Sequence, residues 1–95
     1  MKKAKKSKYK SVVIKKKRYY FYKITWVDIT GDSGHANEHD FLGFMPSVMV
    51  THAYLFNKDK KNIRTFASYE EGDELFSDRN VFPIGCITKM EKVTL

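Results

Sequence analysis

Ninety-five residues are enough for one small domain with one core, and too few for two. Lys and Arg outnumber Asp and Glu by 18 to 11, a net charge of +7, and the lone cysteine, Cys86, excludes an internal disulfide, so a reducing cytoplasm is the expected compartment. No stretch approaches the ~20 apolar residues of a membrane span, and Val12-Val13-Ile14 is too short for the core of a signal peptide, so no membrane partner is expected.

The charge is divided along the chain. Residues 1–23 hold eleven basic and no acidic side chains, whereas the remainder holds seven basic and eleven acidic ones. Residues 1–17 are therefore expected to be a basic arm, disordered when free, and residues 18–95 the folded domain. Within the arm, Ser11 to Ile14 has the makings of a short strand, with Lys15 to Arg18 as a turn or its continuation.

Tyr19 to Ile29 is the strongest strand candidate, with Tyr20, Tyr22, Ile24 and Trp26 on one face. The run Thr30-Gly31-Asp32-Ser33-Gly34 ends it as a loop. A helical turn capped by Asn37 is expected over Asn37 to Phe44, stopped by Gly43 and Pro46, with Phe41, Leu42, Phe44 and Met45 folded over an open end of the sheet. Ser47 to Phe56 reads as a strand, Asn57 to Asn62 as a polar hairpin connection, and Ile63 to Tyr69 as the returning strand. Glu70 to Asn80 is an acidic loop from which Leu75 and Phe76 dip toward the core. Val81 to Ile84 and Ile87 to Val93 are closing strands, with Pro83 at an edge, a bulge or the turn between them.

About five short strands and little helix predict a mostly β fold, a small, partly open antiparallel β-barrel preceded by the flexible amino-terminal arm. Three segments, Trp26 to Gly34, Val50 to Leu55, and Phe82 to Ile87 with Met90 and Val93, give residues 20–95 a pattern that resembles small uncharacterised proteins of tailed phages. The resemblance implies a barrel of the Src-homology-3-like kind, a viral accessory role in the host cytoplasm, and no carried-over chemistry. His35 stands near a position where that pattern has Trp, and Ala53 where it has Gly.

No nucleophile, base and orienting group assemble from spacing: Cys86 lies in an apolar closing segment, His52 within a strand, and Asp28 and Asp32 at a strand end and turn. The chain is expected to be a non-enzymatic binding module, without cofactor, that acts on a host protein or holds a small anionic, nucleotide-like ligand. The loops around Gly31 to Asp40, with Asp32, His35, His39 and Asp40, and around Glu70 to Arg79 would frame its site, and self-association through aromatic strand edges would help build a pocket. His35, Glu38, His39 and Asp40 have metal-ligand chemistry, but a polar loop gives the same composition and no metal site is assigned. The alternative is a nucleic-acid binder that contacts phosphate through Lys15, Lys16, Lys17 and Arg18 and stacks bases on Tyr19 and Phe21.

Overall fold

The computed structural model describes residues 8–72 and 74–95. Alternation of aromatic and aliphatic side chains over Lys17 to Asp28 produces one long strand, β2, and the rest of the domain is built along its two edges. In chain order the elements are β1 (Ser11–Ile14), β2 (Lys17–Asp28), the short helix α1 (Glu38–Leu42), β3 (Ser47–Lys58), β4 (Asn62–Phe66), β5 (Ser68–Glu70), β6 (Leu75–Ser77) and β7 (Asn80–Pro83). A 3-10 turn at Ile84–Cys86 then leads into β8 (Ile87–Lys92). One edge of β2 pairs with β3 from Phe21↔Tyr54 to Asp28↔Ser47, and the other pairs first with β1 and then with β8. Beyond β3 the sheet continues through β4 to β7, while β5 and β6 form a separate two-stranded ribbon. All of these pairings are antiparallel.

The sheet buries side chains on both faces. On one face Ile24, Ala53, Ile63 and Phe82 are buried, and the Trp26 ring meets Phe82 at 5.3 Å between centroids although two strands separate β2 from β7. The sheet must therefore curl strongly over that side. On the other face Tyr19 and Phe66 form an aromatic cluster with Ile14, flanked by Val12, Tyr54, Phe56 and Phe76. Phe66 is its hub, with ring centroids 4.7 Å from Phe76, 5.3 Å from Tyr19 and 5.5 Å from Tyr54. These edge-on and offset contacts add specific geometry to the burial of large apolar area.

The mostly β, antiparallel expectation holds, and the sheet is open: among the described residues β7 pairs only with β4 and β8 only with β2, so the hydrogen-bonded path never returns on itself. One expectation is corrected: the boundary between arm and domain is misplaced, because residues 9–17 pair with the sheet or turn within it, Ser11–Ile14 as the short strand its residues suggested. Val12 and Ile14 alternate inward onto the aromatic cluster, Tyr9 bridges Thr94, and Lys10 N donates to Val93 O while Lys10 O accepts from Phe21 N. Burial of the two aliphatic side chains, with backbone pairing on both sides, offsets the ordering entropy that made this segment look disordered. The rest of the arm lies outside the described residues.

The β3–β4 connection is held by Asp59, which accepts from the backbone N–H groups of Lys61 and Asn62 and from Arg64 Nη1 at 2.8 Å. The Arg64 hydrogen bond, followed by those two amides, holds the Asp59 carboxyl well below the usual carboxylate range, at about 2. A different polar group fares worse: the Thr65 hydroxyl is buried with no protein partner. Thr65→Val keeps the β-branched shape and removes that group, and should raise the free energy of unfolding by ~1 kcal/mol. Urea denaturation midpoints would show it, and a destabilised variant would mean that the hydroxyl is satisfied in solution.

Candidate functional site

Past Trp26 the register leaves β2 paired with β3 alone, because β8 reaches only as far as Ile87. The two strands project from the sheet and carry the segment between them. Its turns are set locally: Asp28 Oδ1 accepts from Ile29 N, Asp32 Oδ1 accepts from Gly34 N, and Asn37 caps α1 by accepting from Asp40 N. The Asn37 cap agrees with the sequence expectation. The apolar residues do not behave as expected. Phe41, Leu42, Phe44 and Met45 were to cover the open end of the sheet, yet Leu42 is 76% and Met45 69% exposed. A five-residue helix beside Gly43 and Pro46 is too short to lay a continuous stripe against the body, so these side chains remain in solvent together with Ile29, Val48 and Val50.

Of the four loop residues singled out from the sequence, Asp32, His35 and Asp40 line one hollow of about 520 Å³ with Phe41 and Phe44, and His39 is not part of its lining. Two carboxylates beside one imidazole suit a hydrogen-bond donor or a cation better than an anion. The expected small anionic ligand therefore finds no complementary charge there. Among the described residues no three His, Cys, Asp or Glu side chains are grouped to hold a metal ion.

No protein-family model, curated protein or solved structure matches this chain.

A second surface lies at the opposite end of β2. Ile14 pairs with Lys17, which makes Lys15-Lys16 a two-residue hairpin loop, and both lysines have positive φ, 49° and 67°. That is a type I′ turn, where Asn-Gly is favoured and a side chain with a bulky stem is strained. Lys15, Lys16, Lys17 and Arg18 are all exposed. Among the described residues the ion pairs are Arg64–Asp59 and Lys89–Glu91, so none of these four cations is in a salt bridge. The acidic β5–β6 turn is nearby, with Glu71 and Gly72 bordering a recess shared with Lys15.

The aromatic part of the expected nucleic-acid surface is corrected. Tyr19 is only 7% exposed, packed on Phe66 and Phe76, and has no free ring face for a base. Phe21 is half-buried, with Tyr54 against it at 4.8 Å and Lys10 Nζ 4.2 Å from its centroid. Lysines sit over the neighbouring rings as well: Lys17 over Tyr19, and Lys92 over Tyr20 and Tyr9. Strand alternation did not reveal this, since it places Tyr19 and Phe21 opposite Ile24 without showing that the other face is also covered.

A recess of about 810 Å³ runs between β6 and the β4–β7 pair. Two of its polar groups are engaged, Arg64 with Asp59 and Asp78 with Ser68. Cys86 lies in the 3-10 turn before β8, whereas His52 is on β3 with its ring stacked on Phe21, so the candidate nucleophile and base belong to strands on opposite edges of β2.

Proposed function

We propose that this chain is a non-enzymatic binding module that docks onto a protein surface through its β2–β3 extension. The observation that carries this reading is the exposure of large apolar side chains over one continuous segment, from Ile29 at 90% to Val48 at 69%. Soluble monomers seldom leave so many large apolar side chains of one short segment in water unless they bind something. The order of elements is compatible with the finer reading as a Src-homology-3-like module: a β2–β3–β4–β7 meander, then a 3-10 turn, then a last strand laid back on the first long one. In that reading the barrel is left open and the long loop between β2 and β3 is the recognition element.

The test is a pair of substitutions on exposed positions, Leu42→Asp and Met45→Asp. Both should leave the melting temperature within about 2 °C of the parent, because neither side chain is packed. Both should reduce partner capture, and surface binding of an apolar dye, at least several-fold. Unchanged capture and dye binding in both variants would end the reading.

A second reading, polyanion binding by the β1–β2 hairpin, is favoured by one specific observation: the charge of Lys15 and Lys16 is kept at positions where the backbone disfavours any residue but Gly or Asn.

A further inference from the structure

The extension presents one element that is more specific than an apolar patch. From Ser47 to His52, β3 pairs with β2 on one side only, because β4 joins its other side no earlier than Tyr54. Among the described residues no strand covers that outer edge, so alternate N–H and C=O groups point into solvent. Edge strands of monomeric proteins are ordinarily guarded by a Lys, an inward charge, a bulge or a proline within the strand. This one is Ser-Val-Met-Val-Thr-His, with no Asp, Glu, Lys or Arg and regular pairing to β2 throughout. Val48 and Val50 stand on one face beside Val27 and Thr25, and Met49 on the other beside Trp26, so an added strand would find apolar contacts on both sides.

We infer that the occupant of this edge is a second copy of the chain, paired antiparallel about a two-fold axis at Val50, so that Val50 stands opposite its own copy on the same face. The inference rests on the reading of the extension as a docking surface and names its partner. Three observations favour self-pairing. The eight exposed large apolar side chains between Ile29 and Val50 present on the order of 900 Å², where a standard interface needs about 800 Å² from each partner. The monomer is under-buried: among the described residues seven apolar side chains are buried while thirteen large ones are exposed, and a domain this small gains stability from association. Charge is also accommodated. The cationic hairpin lies at the far end of the twelve-residue β2, roughly 35 Å from the extension. In the antiparallel pair the two basic ends point away from each other, many screening lengths apart. Because the contact is isologous, the neutrality of Ser47 to His52 means that no like charges meet across it.

The experiment is sedimentation velocity on the full chain from low to high micromolar concentration, with Val50→Lys and Val50→Thr alongside. Val50 is half-exposed, so both variants should fold, and circular dichroism verifies that they do. The parent and V50T should form a dimer. V50K enters the interface twice and should weaken it ~100-fold or more, to a monomer over the same range. A parent that remains monomeric at the highest concentration, or a dimer indifferent to V50K, overturns the inference. If the parent is monomeric yet a different protein is lost on Leu42→Asp, self-pairing falls while the docking reading stands. If neither association occurs, both fall.

Discussion

Replacing Phe66 by Ala should lower the free energy of unfolding by about 4 kcal/mol, the range for deleting a fully buried aromatic ring whose surroundings cannot collapse into the space. Phe66 is 1% exposed, and four of its ring contacts come from three elements: Tyr19 on β2, Tyr54 and Phe56 on β3, and Phe76 on β6. Loss of the ring therefore also weakens the seating of the β5–β6 ribbon, whose Phe76 keeps only Tyr19 and Phe56 of the three rings it packs against. Small domains have total stabilities of about 5–15 kcal/mol, so the variant should sit near its unfolding transition at 37 °C. Chemical denaturation of F66A, with Phe66→Leu as the milder control at roughly a third of the loss, measures it. A loss below ~1 kcal/mol would show that the cluster is not a core.

Much of the fold could be read from residue order because alternation and turn chemistry are local. The pattern Tyr22, Ile24, Trp26 located β2, the polar run from Asn57 to Asn62 located the β3–β4 hairpin, and Asn37 located the start of α1. What escaped depends on distant contacts. The acidic stretch after Tyr69 reads as a loop from which Leu75 and Phe76 dip inward; Phe76 does dock on Tyr19 and Phe56, but Leu75 is exposed and the stretch carries the β5–β6 ribbon, which its residue order did not announce. Residues 8–10 look like the end of a charged tail because composition counts lysines, while backbone hydrogen bonds tie them to the sheet; Ser11 to Ile14 is the short strand that its residues suggested. The site behaved similarly. Asp32, His35 and Asp40 were placed together by proximity in sequence, but the exposed edge of β3 follows only from knowing where β4 begins to pair.

The strained hairpin makes a prediction with two opposite signs. Lys15→Asn together with Lys16→Gly replaces two left-handed lysines by the pair that a type I′ turn prefers. A left-handed conformation costs an ordinary side chain roughly 1–2 kcal/mol, part of which Asn and all of which Gly avoids, so the variant should be more stable by about 1 kcal/mol or more. Its melting temperature should rise by about 4–8 °C. If the same lysines anchor a polyanion, removal of two cations should lower affinity for short duplex DNA at least tenfold at low salt. It should also reduce the slope of log affinity against log salt by about 2, since each phosphate neutralised contributes about 0.9. Thermal melts and fluorescence anisotropy at several salt concentrations measure both effects on one preparation. Gain of stability with loss of binding means that the turn retains its charge against the preference of its backbone. Gain of stability with affinity and salt slope unchanged would remove the hairpin from any anion site, and no gain would show that the turn relaxes away from the left-handed geometry in solution.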